Sequence, residues 1–355
     1  MRLRQNLVRA RGHIVFILGV IGGLMVVTWL EQAGPSAAGQ APVTPLAAIE
    51  AATPLPLAIR GASSAADLDY AAIAWTYFRN NTDPNTGLVH SVDGYPSTTM
   101  WETGSLIVAI VAAERLSLID ATEAKDRLAA ILTSLDRLPL FQDSLPNKAY
   151  DTRTLKMVDY ANRPTDLGLG WSALDVARLM AALAIARAVH PDMAPAIAAA
   201  TDEWRLDRMV RDGQLYGASV VDAEVRENQE GRLGYEQYAA KAMMLSGFDM
   251  VRAYDPAYSA MIQPVMGQDI PVDTRLHRGR IPAFVVSEPY LFDGLEFGFD
   301  ARSSRIATAV YLAQQVRHDQ TGHLTAVTET HLDEAPFFAY STVWGGGAPW
   351  SVLTF

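Results

Sequence analysis

Three carboxylates lie where a polar turn runs into a long apolar stretch of the sequence. They are Glu102, Asp166 and Glu236. Two carboxylates whose environments separate their pKa values can act as a general acid and a general base in one site. We therefore predict that the three acids point into one cavity, with Glu236 as the general acid and Asp166 or Glu102 as the base. Glu236 lies between Tyr235 and Tyr238, and a partly apolar site raises the pKa of a carboxyl group.

Each of these positions also has a purely structural interpretation. Glu102 lies three residues after Thr99, which completes a capping box, and the helix dipole favours a carboxylate in the first turn of any helix. Asp166 and Glu236 are predicted in first turns as well. Catalysis and helix capping both remain open at this point, because only convergence of the three acids in space would separate them.

Aromatic and polar residues near these turns are candidates for substrate binding. The predicted substrate-binding residues are Trp101, Asp83, Tyr150, Asp151, Arg153, Tyr235, Glu288, Tyr290 and Trp344. The segment that begins at Asp83 departs from the calcium-loop pattern, since Gly94 stands at the twelfth position in place of glutamate, and an Asx turn is favoured. No two histidines have the helical spacing of metal ligands and Gly-x-Ser-x-Gly is absent, so we predict no metal and no cofactor.

Long apolar segments alternate with more amphipathic ones along the chain. The apolar segments are predicted as helices over 98–118, 164–189, 235–254 and 303–316, with amphipathic partners over 121–138, 194–213 and, more weakly, 256–272. In stacked helical hairpins the inner helix is covered on all sides and the outer helix on one side, which gives this alternation. The sequence thus predicts a mainly α fold, an (α/α) toroid of helical hairpins with short β-hairpins in the loops.

The composition bounds the class of protein. The 355 residues are 50% apolar and 19% charged, with a net charge of −10 and no cysteine. Such a chain has ample material for a globular core. The acidic balance argues against nucleic acid as the main partner, because phosphate binding needs a basic surface. The lack of cysteine excludes disulfides, thiolate zinc sites and cysteine nucleophiles.

The N-terminal region carries an apolar stretch over residues 14–30, whose 17 residues include no charge. This length meets the lower limit for a membrane-spanning helix, and the arginines at positions 2, 4, 9 and 11 put the N-terminus in the cytoplasm. We predict a basic tail over 1–13, a transmembrane anchor over 14–30, a flexible tether over 31–64 and a toroid domain over 65–355 in the periplasm. A signal segment cleaved near Ser36 and a buried core helix remain as alternatives.

Four sequence motifs resemble a known bacterial family. They are Asp83-Pro84-x-Thr86-Gly87-Leu88-Val89, Met100-Trp101-Glu102-x-Gly104-Ser105, Leu145-Pro146-Asn147-Lys148-x-Tyr150-Asp151-Thr152-Arg153 and Arg163-Pro164-Thr165-Asp166-Leu167-Gly168. They look like the domain of unknown function 3131, over residues 67–355. That family is similar to glucoamylase-like (α/α)-toroid proteins, among them enzymes acting on β-1,2-glucans, in which acids at the toroid mouth hydrolyse the glycosidic bond. The resemblance implies a fold and a carbohydrate substrate, but it does not assign acid and base to single positions.

These observations lead to two functional hypotheses. The first is an exported, membrane-tethered glycoside hydrolase or transglycosylase that uses a carboxylate pair on a bacterial, β-glucan-like polysaccharide. The alternative is a non-catalytic polysaccharide-binding or assembly protein of the cell envelope, in which the same acids bind sugar hydroxyls or cap helices. An oligo- or polysaccharide and the inner membrane are the expected partners in both cases.

Overall fold

The computed structural model describes residues 61–277, 281–325 and 327–354. The predicted basic tail and membrane anchor, and the tether up to residue 60, lie outside the described residues. Within the described ranges, no helix is both long enough and apolar enough to cross a membrane.

The first half of the domain consists of helices joined by turns and short strand pairs. The helices are α1 (Ala65–Asn81), α2 (Met100–Arg115), α3 (Ala121–Asp136), α4 (Ala173–Val189) and α5 (Ala194–Thr201), and the strands are β1 (Ser97–Thr98), β2 (Leu140–Phe141), β3 (Leu145–Pro146) and β4 (Tyr150–Asp151). Antiparallel pairing joins β2 to β3 and β1 to β4. The β1–β4 pair ties the turn before α2 to the loop before α4.

The second half carries more strand. Its strands are β5 (Val210–Arg211), β6 (Gln214–Val221), β7 (Glu224–Gln229), β8 (Ala260–Val265), β9 (Gln268–Asp273), β10 (Leu276–His277), β11 (Ile281–Pro282), β12 (Glu329–His331), β13 (Phe338–Ser341), β14 (Trp344–Gly345), β15 (Ala348–Pro349) and β16 (Val352–Thr354). Its helices are α6 (Tyr235–Leu245), α7 (Val251–Tyr254), α8 (Glu288–Phe292) and α9 (Ala301–Thr321). The order β12-β13-β16 forms one sheet, and β5-β6-β7 another. The prediction of a mainly helical domain with short hairpins in the loops is confirmed.

Helix α2 begins where the sequence predicts it. The Thr99 side chain accepts a hydrogen bond from the first turn, and the Glu102 carboxylate accepts one from the Thr99 backbone N–H at 3.0 Å. This reciprocal pair satisfies N–H groups that the helix leaves without partners. The capping box is therefore present at Glu102, and it fixes this carboxylate at the N-terminal end of α2.

Helix α4 begins nine residues later than predicted, at Ala173 in place of Pro164. Gly168 and Gly170 have φ angles of +72° and +104°, which interrupt any helix, and a Cβ at Gly170 would lie 2.1 Å from the Ala218 carbonyl oxygen. Glycine adopts such φ angles without the steric cost of a side chain. The true cap is Ser172, whose hydroxyl accepts from the Asp175 backbone N–H at 3.2 Å.

Helices α2, α4 and α6 pack side by side as the inner row, with α3 and α5 on the outside. Gly104 lets α2 approach α4 closely, because a Cβ there would lie 3.2 Å from the Leu179 Cα. The alternation of inner and outer helices holds in this first half. It is wrong for 256–272, where the antiparallel hairpin β8–β9 replaces the expected outer helix.

Candidate functional site

Four carboxylates lie near one another, two of them in the first turns of the inner helices α2 and α4. Glu102 lies in the first turn of α2, Asp175 in the first turn of α4, Glu288 at the start of α8 and Glu329 at the start of β12. Burial raises the pKa of each of the other three, and the charge of Glu102 adds to the rise in each case; the charge of Glu329 also raises the pKa of Asp175. We refer to Glu102, Asp175, Glu288 and Glu329 as the acidic cluster.

Glu102 is the member of the acidic cluster that is held ionised. Burial acts to raise its pKa, but His331, through a hydrogen bond and its charge, and the hydrogen bond from Thr99 lower the pKa below its ordinary value. His331 Nδ1 lies 3.4 Å from Glu102 Oε1, and its ring stacks on Phe338 at 4.5 Å between centroids. Because Glu329 and His331 are two residues apart on β12, both side chains lie on one face of that strand.

Asp175 lies close to three other carboxylates, whose charges act on its pKa. Burial and the charges of Glu230, Glu102 and Glu329 raise the pKa of Asp175 well above its ordinary value. Glu230 lies close by, because its two carboxylate oxygens accept from the Ser172 hydroxyl at 2.9 Å and the Ala173 N–H at 2.6 Å. Glu230, which follows β7, therefore accepts a hydrogen bond from the first N–H group of α4, and Asp175 within that first turn favours its protonated form.

Glu288 and Glu329 are joined by a single phenol. The Tyr235 hydroxyl lies 3.0 Å from Glu288 Oε2 and 3.2 Å from Glu329 Oε2, while the Tyr340 hydroxyl donates to Glu329 Oε1 at 3.0 Å. Glu329 and Tyr340 are also opposite each other in the β12–β13 register. Burial, followed by the charge of Glu288, raises the pKa of Glu329 to about 7. Burial likewise raises the pKa of Glu288.

Aromatic rings pack beside the acidic cluster. Trp101 lies next to Glu102 in α2 and contacts Tyr235, Tyr238 and Phe292, with ring centroids 5.5, 6.1 and 5.9 Å away. Beneath them Arg178, which is 1% exposed, pairs with the buried side chain of Glu296. Trp101 on α2, Arg178 on α4 and Tyr238 on α6 thus contact one another across the three inner helices.

The model of the family described as Protein of unknown function (DUF3131) matches residues 69–355. The chain belongs to this family. A comparison with the curated proteins finds no match.

Solved structures show which fold this DUF3131 protein adopts. A candidate glucoamylase from Bacteroides fragilis aligns with a TM-score of 0.54 at 15% identity, over 82% of this chain and 76% of its own. An endo-β-1,2-glucanase from Chitinophaga pinensis, solved with sophorotriose and glucose, aligns with a TM-score of 0.53 at 12% identity, over 79% and 75%. At these identities the similarity establishes a shared fold, and the expected glucoamylase-like fold is confirmed.

The three acids singled out in the sequence do not all converge in this DUF3131 protein. Glu102 belongs to the acidic cluster, but Asp166 lies exposed in a bend before α4. Glu236 is 2% exposed, and its carboxylate accepts from Arg275 Nη1 at 3.2 Å and from Arg275 Nη2 at 2.5 Å. Arg275 also pairs with Asp273 at 2.6 Å, so Glu236 belongs to a buried ionic network.

The side chains of several predicted substrate-binding residues are engaged in contacts within the protein and are not available to a ligand. Tyr150 is fully buried, and its hydroxyl donates to the Pro139 carbonyl at 2.8 Å, which is a core position. Burial acts to raise the pKa of Asp151, but hydrogen bonds led by the one from Arg153 lower it to about 2. Asp83 accepts from two backbone N–H groups that follow it, as an Asx turn does.

The remaining predicted residues divide between two places. Tyr235, Glu288 and Trp101 lie at or beside the acidic cluster. Tyr290 and Trp344 pack in a second apolar core formed around α9 and β9. Within the described part of the chain, no group of three or more acidic, histidine or cysteine side chains is arranged to hold a metal ion.

Four residues at the site were missed by the sequence analysis: Asp175, Glu329, His331 and Tyr340. The spacing Ser172-x-x-Asp175 ahead of an apolar run is a helix-start signal, and it could have located Asp175. Glu329 and His331 lie in a three-residue strand without a distinguishing pattern. The contact between His331 and Glu102 spans 229 residues of sequence, so no local pattern predicts it.

Proposed function

We propose that this protein is a glycoside hydrolase whose chemistry is carried out by the acidic cluster. The observation that carries the proposal is the separation of carboxylate pKa values within one cluster, with Glu329 raised to about 7 and Glu102 lowered. Carboxylates whose environments push their pKa values apart are the acid and base of a hydrolytic site. The fold shared with an endo-β-1,2-glucanase supports the same class of reaction.

In this proposal Glu329 is the general acid and Glu102 the general base. The glycosidic carbon–oxygen bond breaks as Glu329 transfers its proton to the leaving oxygen. A water molecule forms the new bond to the anomeric carbon and gives its proton to Glu102. A general acid with a pKa near the working pH is both sufficiently protonated and sufficiently strong, which is the state of Glu329 at neutral pH.

We further propose a β-glucan as substrate, with the inner helices lining the mouth of an (α/α) toroid. Trp101 at the start of α2 is half-buried and packs against Tyr235, which is buried beside the carboxylates. Such a surface offers an apolar ring face and carboxylate acceptors to a neutral sugar, whose hydroxyl groups donate hydrogen bonds. An endo-β-1,2-glucanase among the solved structures makes β-1,2-glucan the first substrate to test.

The test is release of reducing ends from β-1,2-, β-1,3- and β-1,4-linked glucans by the full-length protein. Replacing a general acid or base is expected to lower kcat by about 10²–10⁴-fold, so Glu329→Gln and Glu102→Gln should lose activity without losing the fold. The exposed Asp166→Asn is the control and should retain it. Equal activity in all forms, or binding of glucans without any cleavage by the parent protein, would overturn the proposal; the second result would instead support a non-catalytic polysaccharide-binding protein.

We also propose that the domain is exported and held at the inner membrane. The support is the uncharged stretch over 14–30 preceded by four arginines. The domain should resist protease added to intact cells and become sensitive once the outer membrane is opened. Recovery of the full-length protein in the cytosolic fraction would contradict this localisation.

A further inference from the structure

We infer that Glu288 and Glu329 act as one acid that holds a single proton between them, bridged by the hydroxyl of Tyr235. This inference rests on the proposed function, in which Glu329 is the proton donor. It adds Glu288 and Tyr235 as positioning residues, because neither is assigned a proton transfer of its own to substrate.

The geometry brings the two carboxylates within reach of one hydroxyl. The Tyr235 oxygen lies 3.0 Å from Glu288 Oε2 and 3.2 Å from Glu329 Oε2, so these two oxygens are separated by no more than the 6.2 Å that the two distances total. A tyrosine hydroxyl has one proton to donate. It can satisfy only one of the two carboxylates at a time, and a proton on either carboxyl group allows the other contact to form as a hydrogen bond.

The surrounding charges favour one proton on the pair. Glu102 on α2 raises the pKa of both carboxyl groups, and Asp175 on α4 adds a further acid that senses Glu329. The cation that acts on Glu288 is Arg178 on α4, and its guanidinium is already paired with Glu296. Tyr235 on α6 and Tyr340 on β13 contribute neutral hydroxyls, since the pKa of each is raised. Two carboxylates this close therefore repel each other strongly when both are ionised, and they titrate as a pair.

Tyr340 provides the matched control for Tyr235. Among the described contacts, the hydroxyls of Tyr340 and Tyr235 lie 3.0 and 3.2 Å from Glu329 oxygens, and of the two tyrosines Tyr235 is the one that also contacts Glu288. Replacing either tyrosine by phenylalanine keeps the ring and removes one hydrogen bond to the carboxylate of Glu329. Only the Tyr235 variant separates the two carboxylates from their common partner.

The experiment measures the pKa of Glu329 in two ways in full-length protein: from the alkaline limb of the kcat/KM profile, and from carbon-13 NMR of labelled glutamate carboxyl groups, which needs no activity. For charges about 6 Å apart in a protein-like dielectric, Glu288→Gln should lower the pKa of Glu329 by about 2 pH units. The two-step titration of the pair should become one step. Tyr235→Phe should raise the pKa of Glu329, and the rise should be larger than the rise in Tyr340→Phe.

An unchanged Glu329 titration in Glu288→Gln, or equal shifts in the two phenylalanine variants, would overturn the inference. The NMR titration separates this failure from that of the proposed function. A two-step titration in a protein that cleaves no glucan would leave the pair intact and remove the hydrolase assignment. If the protein cleaves glucan and Glu329 titrates in a single step independent of Glu288, the hydrolase assignment stands and the shared proton is ruled out.

Discussion

Replacing the proposed general acid should stabilise this protein at alkaline pH. Glu329→Gln removes a carboxyl group whose folded-state pKa is about 7, above its ordinary value of 4.5. Between these two pH values the folded state holds a proton that the unfolded state has released. The free energy of unfolding therefore falls as pH rises through this window, because the ionised form is disfavoured where it is buried.

The size of the effect follows from the two pKa values. A shift from 4.5 to about 7 corresponds to about 3 kcal/mol lost above pH 7 relative to pH 4. Glutamine carries no charge and avoids this cost, but its amide accepts from only one of the two tyrosines and loses about 1 kcal/mol of hydrogen bonding. The variant should be more stable than the parent by about 2 kcal/mol at pH 8 and slightly less stable at pH 4.5.

Urea unfolding at pH 4.5, 6, 7 and 8 measures this change directly. Glu236→Gln is the matched control, because Glu236 is also buried but is paired with Arg275. Its replacement removes one of the two carboxylates that pair with the partly buried Arg275 guanidinium, which keeps Asp273, and should destabilise the protein at pH 8 by about 2 kcal/mol. A Glu329→Gln variant that is no more stable than the parent at pH 8 would refute the assignment of a strained, high-pKa acid to this position.

Three further substitutions have defined outcomes. Arg178→Met should cost about 3–5 kcal/mol in urea unfolding, because it leaves the buried Glu296 carboxylate unpaired; a loss below about 1 kcal/mol would contradict a buried ion pair. His331→Gln should raise the pKa of Glu102 and move the acid limb of the kcat/KM profile up by about 1 pH unit, with the alkaline limb fixed. Gly170→Ala should lower the melting temperature and cost about 2 kcal/mol or more, since its φ angle is +104°.

Local sequence signals were sufficient where a helix end is determined by its own residues. The spacing of Thr99 and Glu102 predicted both the start of α2 and the reciprocal hydrogen bonds found there. The apolar run after Gly234 likewise predicted the start of α6, although the helix ends at Leu245 and not at residue 254 as expected. In both cases the interactions that define the helix end lie within four residues, so the sequence contains all the necessary information.

The start of α4 shows why the same reasoning failed elsewhere. Thr165 and Asp166 have the residue types of a helix cap, but the chain turns back at Gly168 and Gly170 before the helix begins. The close approach of Gly170 to the carbonyl of Ala218 on β6 forces this turn. That contact is tertiary, and a pattern of residue types along the chain does not contain it.

The candidate site was predictable only in part for the same reason. Glu102, Trp101, Tyr235 and Glu288 were recognised from their types and from the turns around them. The residues around Glu236 in the sequence are those expected of a general acid, yet Arg275, 39 residues later, binds its carboxylate. The function of a carboxyl group depends on the charges that surround it in space, and most of those lie far away in sequence.

The position of β12 also has a consequence for biogenesis. Glu102 and His331 meet across 229 residues, so the proposed base is complete only after the C-terminal sheet has docked. Contacts of such long sequence separation form late, because a large loop must close first. A nascent chain that has folded α2, α4 and α6 would hold two of the four carboxylates in place and still lack Glu329. In the proposed function, a chain that ends before β12 therefore lacks both the proposed acid and the histidine that lowers the pKa of the proposed base.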